Sequence, residues 1–261
     1  PMSQIVLFAN RKGGSGKTTL AFNVASLLAD NGNRCLLVDT DPQAHATVHA
    51  GLEPLKITFS VYEALVSFLK NRQTVSDPTL SINSNFSILP ANEELSALEL
   101  ELKDLQNREG VLKDFLLELE SEFDYIIVDT PPSLGLITIN ALVASQYLVI
   151  PVKADFLSLV GLSQMMGVYY RVNALLNPEL KFLGIVPTIF DVRTRISKEV
   201  LNQLRATFGS NRIFTPIRSD VKVMEASGHA LPIHKYCPRC RATQDLQTFA
   251  VELLRRIGGN G

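Results

Sequence analysis

The stretch Phe8-Ala-Asn-Arg-Lys-Gly-Gly-Ser-Gly-Lys-Thr-Thr-Leu20 follows an apolar run, Ile5–Phe8, and precedes a helical pattern. A phosphate-binding loop requires this order of strand, glycine-rich loop and helix, because backbone N–H groups and the helix N-terminus then surround the phosphate oxygens. Lys17 supplies a cation for the outer phosphates, and the Thr18 hydroxyl is placed for Mg²⁺. The sequence therefore predicts that the chain binds a nucleotide.

The loop departs from the strict G-x-x-x-x-G-K-[ST] spacing. Arg11 stands where the first glycine would fall, and a second lysine, Lys12, precedes the glycine pair. The pattern x-K-G-G-x-G-K-[ST] resembles the deviant Walker A box of the ParA/MinD family of P-loop ATPases. This resemblance implies that Lys12 reaches the partner's nucleotide across an ATP-sandwiched dimer, where its charge would act on the γ-phosphate oxygens much as an arginine finger does. The alternative is a solvated loop lysine.

Composition limits the remaining possibilities. A length of 261 residues without a Pro/Gly/Ser-rich linker favours one domain over residues 2–261, and Pro1 ahead of Met2 is interpreted as a remnant of tag cleavage. Short apolar runs, no secretory signal and three cysteines predict a soluble protein of the reducing cytoplasm. Because the net charge is only −1, any DNA binding must come from a local basic face.

Apolar runs followed by helical periodicity predict an α/β fold with a doubly wound, mostly parallel sheet flanked by helices. We expect strands at Ile5–Ala9, Cys35–Val38, Tyr125–Val128, Tyr147–Pro151 and Phe182–Thr188, with a weaker candidate at Asn85–Pro90. We expect helices at about 17–31, 60–71, 93–106, 109–122, 135–145, 158–176, 196–208, 220–227 and 241–257. Ligands of such sheets bind at the carboxyl ends of the strands.

Acidic residues stand at those strand ends. Asp39 and Asp41 follow the second strand, and alternate residues of an extended segment share a face, so both could point toward the Mg²⁺ and the attacking water. Asp129 ends another strand in a Walker B arrangement, although a strand-end aspartate is also a common helix N-cap. Together the segments resemble the ParA family's D-x-D-P-Q and D-T-P-P-S boxes. The resemblance implies that Asp41 orients the water, Asp39 supports Mg²⁺ or the water, and Asp129 is the Walker B acid. His45 departs from the family pattern and is assigned no role.

Four later segments, Pro151–Leu162, Thr188–Ser197, Thr215–Lys222 and Glu225–Pro232, are similar specifically to ParA/Soj partition ATPases. The resemblance therefore covers essentially the whole chain. It implies ATP and Mg²⁺ as cofactors, with slow intrinsic turnover. The implied catalytic residues are Lys12, Lys17 and Asp41; the nucleotide-binding residues are Lys12, Gly13, Gly14, Ser15, Gly16, Lys17, Thr18, Thr19 and Pro216; and the metal-binding residues are Thr18, Asp39 and Asp129.

The same resemblance implies that an ATP-bound dimer binds DNA without sequence preference, near the nucleoid, and that a ParB-like or other adaptor protein stimulates hydrolysis. Such a switch would segregate or position a plasmid, a chromosome or another cargo. Basic side chains that grip phosphates would make the binding salt-dependent. The candidates are Arg193, Arg195, Lys198, Arg218 and Lys222. The alternative for each is a solvated charged face.

Other functions remain open. A MinD-like membrane-associated ATPase would need an amphipathic C-terminal helix, whereas the last helix here has the apolar spacing of a core helix, so membrane binding is not expected.

Cys237-Pro-Arg-Cys240 has the spacing of metal sites and redox dithiols, which raises the alternative of an iron–sulfur carrier ATPase. The segment nevertheless matches the ParA family's Y-D-P-K-S region, which favours free thiols in a surface loop. A metabolic ligase such as dethiobiotin synthetase is disfavoured by the D-x-D-P-Q box and by the D-x-R-T block, Asp191-Val-Arg-Thr194.

Overall fold

The computed structural model describes residues 3–71 and 78–259, so Pro1 lies outside the described residues. Within them, one sheet is built from β1 (Gln4–Phe8), β2 (Cys35–Asp39), β3 (Leu80–Asn83), β4 (Phe86–Leu89), β5 (Tyr125–Asp129), β6 (Tyr147–Lys153) and β7 (Lys181–Thr188). The spatial order is β3-β4-β2-β5-β1-β6-β7. All neighbouring strands pair in parallel except β3 with β4. The predicted doubly wound α/β fold is confirmed.

The helices lie between these strands and after β7. They are α1 (Lys17–Asp30), α2 (His45–His49), α3 (Val61–Asn71), α4 (Leu98–Leu102), α5 (Val111–Leu117), α6 (Leu136–Ala144), α7 (Phe156–Leu175), α8 (Arg195–Phe208), α9 (Val221–Gly228), α10 (Ile233–Tyr236) and α11 (Arg241–Ile257). Short 3₁₀ helices cover Pro54–Lys56, Glu93–Ala97 and Ser210–Arg212.

The strands separate two apolar layers. Along β1, Ile5 and Leu7 join the cluster beneath one set of helices, whereas Val6 and Phe8 join the cluster on the opposite face. Burial on both faces is why the parallel strands read as continuous apolar runs. In the central part of the sheet, the carboxyl ends of β1, β2 and β5 meet, with Phe8 and Asp39 each in register with Asp129. This edge positions the candidate site.

The six predicted strands are confirmed within a few residues, but β3 was not predicted. It is a short edge strand whose side chains are exposed or half-buried, so it carries little apolar signal. The short helices α2 and α10 were not predicted either.

Two predicted helices are wrong in extent. The segment 93–106 is a 3₁₀ turn followed by α4, because residues 103–108 are exposed and offer no apolar face to pack. Asn107 then adopts a left-handed φ of 63°. The segment 109–122 contains only α5, after which the backbone N–H groups of residues 118–120 and 122 bond to carbonyls three residues earlier. Leucine and glutamate spacing therefore overstated the helix length.

A glycine in β7 is required by close packing. Gly184 has φ 151°, and an added Cβ would overlap the carbonyl oxygen of Arg212 and lie 2.6 Å from Nη1 of Arg256. That guanidinium cannot easily retreat, because it lies 3.6 Å from the centre of the Phe214 ring and donates to the carbonyl of Leu183.

We expect Gly184→Ala to lower the free energy of unfolding by roughly 3 kcal/mol, through overlap and backbone strain. Urea unfolding would measure the change. The matched control is Gly167→Ala in α7, where an added Cβ meets nothing within 4 Å and helix propensity favours alanine. Equal stability of the two variants would contradict the packing argument.

Candidate nucleotide site

A cavity of about 590 Å³ opens at the carboxyl ends of the central strands. It is lined by residues 13–20, Asp41, Gln43, His45, His49, Pro132, Thr188, Ile189, residues 217–221, Val223, Met224 and Leu246. The floor comes from the glycine-rich loop and the start of α1, and an apolar wall comes from α9. A nucleotide has charged phosphates and a base with apolar faces, so a cavity with a polar floor and an apolar wall suits it.

The glycine-rich loop is held by its backbone conformation and by β7. Gly14 and Gly16 have φ values of 70° and 87°, which side chains with a Cβ rarely adopt. Thr188 donates its hydroxyl to the carbonyl of Ser15 at 2.7 Å and lies 3.5 Å from where a Cβ on Gly16 would stand. The loop therefore leads directly into α1 with its amide groups around the cavity, as a phosphate cradle requires.

Lys17 is the cation of this cradle. Its side chain lines the cavity, although the residue is only 6% exposed, and Nζ lies 3.4 Å from the carbonyl oxygen of Lys12. Burial lowers the pKa of Lys17, while the charges of Asp129 and Asp41 act in the opposite direction. A buried ammonium with one long hydrogen bond is well suited to receive phosphate oxygens.

Thr18 and Asp129 lie together beneath the loop. The Thr18 hydroxyl donates to Oδ2 of Asp129 at 2.7 Å, and Oδ1 of this fully buried carboxylate has no hydrogen-bond partner among the described residues. Burial, followed by the charge of Asp39, raises the pKa of Asp129 well above its usual range. An unpartnered buried carboxylate oxygen is costly unless a cation or donor approaches it. Hydroxyl and carboxylate oxygens are also the ligands that Mg²⁺ prefers, so these residues fit the predicted metal.

Unlike Asp129, Asp39 has hydrogen-bond partners on both of its carboxylate oxygens. Its Oδ1 accepts the Asp41 N–H at 3.1 Å, and its Oδ2 accepts the N–H and hydroxyl of Thr47 at 2.9 and 2.8 Å. Burial raises the pKa of Asp39 to about 6, against these hydrogen bonds. Asp39 thus holds the turn that presents Asp41. That Asp39 and Asp41 both point toward the metal and the attacking water, and that Asp39 contacts magnesium, stays a prediction.

Asp41 lines the cavity and is nearly buried. Its Oδ1 accepts the N–H of Gln43 at 2.9 Å, which fixes the carboxylate at the end of β2. Two histidines on α2 line the same cavity: His45 is exposed, and His49 packs edge-on against Phe22. Sequence reasoning missed these contacts because a five-residue helix after a turn leaves little periodic signal.

Lys12 does not line the cavity of its own chain. Its Nζ forms an ion pair with Oδ1 of Asp155 at 3.0 Å, and its side chain is 29% exposed. Asp155 is the N-cap of α7 and also accepts the N–H and hydroxyl of Ser158. Although partial burial acts to raise it, hydrogen bonds from Lys12 and Ser158 lower the pKa of Asp155 to about 2. Nothing in the spacing of residues predicts this ion pair.

Pro216, a predicted nucleotide contact, is not among the residues that line the cavity, whereas Ile217 and Arg218 are. The Arg218 guanidinium makes a two-pronged ion pair with Asp245 of α11, with Nη2 to Oδ1 at 2.8 Å and Nε to Oδ2 at 2.9 Å. Arg218 is therefore part of the cavity wall, and its predicted role in DNA binding is not favoured by this geometry.

The other predicted DNA contacts lie at the surface. Arg193 pairs with Asp191 and Arg195 with Glu199, yet the two arginine side chains remain 86% and 91% exposed. Lys222 pairs with Glu225, and Lys198 is exposed. Ion pairs of such exposure contribute little stability and exchange readily.

Arg241, which sequence reasoning missed, belongs to the same surface. After the hydrogen bonds and charge of Arg193, the charge of Arg241 also acts to lower the pKa of Asp191, which is about 2. Arg218 forms an isolated bridge with Phe190, next to Asp191, and the Ala242 N–H lies 3.4 Å from Oδ2 of Asp220. These contacts place the start of α11 near the segment that precedes α8.

Among residues 3–71 and 78–259, no three His, Cys, Asp or Glu side chains are grouped so as to hold a metal ion. No helix in these two ranges has the length and apolar character needed to cross a bilayer.

Known proteins resemble this chain over most of its length. The family described as AAA domain matches residues 3–182. The chain is 37% identical to the sporulation initiation inhibitor protein Soj of Bacillus subtilis, with all of both chains covered. It is 36% identical to the chromosome-partitioning ATPase Soj of Treponema pallidum, covering 98% of this chain and 99% of that protein.

A solved structure of cobyrinic acid a,c-diamide synthase from Mycobacterium smegmatis, with bound ADP and magnesium, superposes with a TM-score of 0.85. It is 31% identical, and the match covers 100% of this chain and 97% of that one. The sheet, the glycine-rich loop and the strand-end acids define a P-loop ATPase. More particularly, the chain belongs to the Soj/ParA family of partitioning ATPases, which confirms the predicted family and ATPase activity.

Proposed function

We propose that this ATPase is a switch that dimerises around ATP, binds DNA without sequence preference in the dimeric state, and is reset by hydrolysis. The observation that carries the proposal is the position of Lys12, whose ammonium lies outside its own cavity and against Asp155 at 3.0 Å. A loop lysine that does not serve its own nucleotide site is available for the site of a second copy.

In the proposed complex, the phosphates of ATP occupy the cradle formed by residues 13–19, with Lys17 against the outer phosphates. Thr18 and Asp129 hold Mg²⁺, which when bound neutralises phosphate charge. Asp41 orients and deprotonates the attacking water. Lys12 of the second copy adds positive charge beside the γ-phosphate, where negative charge builds up during transfer.

The surface beside Lys12 supports association with a second copy. Phe156, Leu157 and Val160 follow Asp155 at the start of α7 and are 48%, 75% and 59% exposed. Three exposed apolar side chains next to an ion pair form a patch that water does not solvate well. Dimerisation would cover this patch, and Lys12 would exchange Asp155 for the partner's nucleotide.

The basic group at the start of α8, with Arg241 nearby, is the proposed DNA surface. Arg193, Arg195 and Lys198 are exposed cations, which would contact phosphates and give salt-dependent, sequence-independent binding. A dimer presents the group twice, which raises avidity without any change in the chain's net charge. ATP would in this way control DNA affinity.

The remaining parts of the proposal follow from family membership. The relatives include proteins named for chromosome partitioning. We accordingly propose a cytoplasmic, nucleoid-associated switch that segregates or positions a chromosome, a plasmid or another cargo. A ParB-like or other adaptor would stimulate its slow hydrolysis and release the dimer from DNA.

The test combines solution mass with DNA co-sedimentation, each performed without nucleotide, with ADP and with a slowly hydrolysed ATP analogue. We expect the analogue with magnesium to double the mass and to retain the protein on unrelated DNA sequences. A single-subunit species under saturating analogue would overturn the proposal. Retention on anionic vesicles in place of DNA would overturn DNA binding in favour of a MinD-like membrane-associated switch.

For the DNA surface, we expect Lys198→Glu to weaken DNA retention strongly and to lower the dependence of log affinity on log salt by about one for each subunit. The analogue-dependent dimer should persist. Lys103→Glu, which alters an exposed lysine outside this group, is the matched control. Unchanged retention of Lys198→Glu at matched salt would remove α8 from the DNA surface. Arg218→Glu is a poorer test, because it would place a carboxylate against Asp245.

A further inference from the structure

The loop between α10 and α11 holds two cysteines, Cys237 and Cys240, in one hydrogen-bonded turn. The Cys240 N–H donates to the carbonyl of Cys237 at 3.2 Å, and the Thr243 hydroxyl donates to the same carbonyl at 2.8 Å. Sγ of Cys240 lies 3.4 Å from that hydroxyl. A turn held by two donors therefore keeps the two cysteine residues three positions apart in one turn.

The pair is accessible and electrostatically asymmetric. Both cysteines are half-buried, whereas Pro238 and Arg239 between them are exposed. Cys240 is the N-cap of the 17-residue helix α11, where the helix dipole favours a negative charge. The hydrogen bond with Cys240, followed by burial, raises the pKa of Cys237. We assign the first attack to Cys240, because it stands at the N-terminus of α11.

We propose that Cys237 and Cys240 form a redox-active dithiol, which a low-molecular-weight or protein disulfide oxidises to an intramolecular disulfide, and that this oxidation changes the affinity of the neighbouring nucleotide cavity. The inference rests on the nucleotide site and does not require DNA binding.

The proposed oxidation is a thiol–disulfide exchange in two steps. The Cys240 thiolate attacks one sulfur of the oxidant disulfide, forms a mixed disulfide and releases one thiolate. Cys237 then loses its proton to solvent and attacks Sγ of Cys240, which forms the Cys237–Cys240 bond and releases the second thiolate. The chain loses two hydrogens and two electrons, and the oxidant disulfide is reduced to two thiols after the released thiolates take up protons.

The dithiol is coupled to the cavity through the first turns of α11. The Ala242 N–H lies 3.4 Å from Oδ2 of Asp220, whose Oδ1 caps α9 by accepting the Lys222 N–H. One turn later, Asp245 holds the side chain and the backbone N–H of Arg218. Asp220 and Arg218 both line the cavity. A disulfide would link Cys237 covalently to the N-cap residue of α11, and in the proposal this link shifts the helix end that positions this wall.

The experiment equilibrates the full chain in reduced and oxidised glutathione, quenches with acid and measures intact mass and peptide mass. We expect a product lighter by two hydrogens, with the bond between Cys237 and Cys240 and reversal by dithiothreitol. Cys35 serves as an internal control, because it is fully buried and burial raises its pKa to about 12. Cys237→Ser and Cys240→Ser should give no internal disulfide.

Affinity for a fluorescent ATP analogue is then measured in both redox states. We expect a change of about fivefold or more on oxidation, which is absent in both serine variants. A glutathione adduct without an internal bond in the native chain, or an internal bond with unchanged affinity, would overturn the inference. Redox-dependent nucleotide binding in a chain that neither dimerises nor retains DNA would overturn the proposed function alone. Dimerisation and DNA binding without redox dependence would overturn the dithiol alone.

Discussion

Replacing Lys17 with alanine is expected to weaken ATP binding by ~100-fold or more. Lys17 is the buried cation of the phosphate cradle. Its Nζ donates to the Lys12 carbonyl at 3.4 Å and has no carboxylate within ion-pair distance among the residues that the structure describes. Loss of charge-assisted hydrogen bonds to phosphate removes about 3 kcal/mol of binding free energy. Equilibrium titration with a fluorescent ATP analogue in the presence of magnesium would measure the change.

The matched control is Lys12→Ala, five positions earlier in the same loop. Because Lys12 pairs with Asp155 and does not line the cavity, this variant should bind nucleotide with nearly the affinity of the parent chain. It should nevertheless fail to dimerise. If both variants lost nucleotide affinity equally, Lys12 would belong to its own chain's site, contrary to the proposed exchange between subunits. A melting curve for each variant would show that the fold is retained.

Asp41→Ala is expected to bind ATP and to hydrolyse it ~100-fold more slowly or worse, as for loss of a general base. Asp41 lies at the cavity, and Asp39 beneath it holds its backbone. The unhydrolysed nucleotide should keep the chain dimeric. Single-turnover phosphate release, measured beside nucleotide affinity, separates slow chemistry from weak binding.

Asp41→Asn separates charge from geometry at this position. The asparagine carbonyl can still accept the Gln43 N–H, which Oδ1 of Asp41 accepts at 2.9 Å, but it cannot take a proton from water. We expect this variant to be as slow as the alanine variant. Recovery of turnover by asparagine would assign Asp41 to shaping the turn, and normal turnover by both variants would remove it from catalysis.

Much of the fold could be predicted because parallel strands are buried on both faces. Their apolar runs survive in the sequence as uninterrupted segments, and the order of runs and helices specifies a doubly wound sheet. Segments held by a few side-chain contacts carried no such signal. The edge strand β3, the short helices α2 and α10, and the interrupted region from Glu93 to Leu117 depend on where neighbouring elements leave room.

Some residues of the candidate site could likewise be predicted from the sequence, and others could not. The glycine-rich loop and Asp129 were predicted because their spacing along the chain is itself the chemical requirement. The surroundings of Asp39 could not be predicted from spacing. Its carboxylate oxygens accept hydrogen bonds from Thr47 and from the Asp41 N–H, and these contacts exist only in the folded chain. The cations predicted for DNA binding were likewise visible only as residue types, without the acidic partners that lie beside them.

The phosphate loop, the acids at the strand ends and the parallel sheet are readable in the amino-acid sequence, since each is local in the chain and follows from a period or a spacing. The pairing of Lys12 with Asp155, the hold of Asp245 on Arg218 and the link from the cysteine loop to the cavity wall arise only in the folded chain. Ion pairs and hydrogen bonds act over a few ångströms in space. Residues far apart in the chain become partners only when the sheet and helices have set their distance.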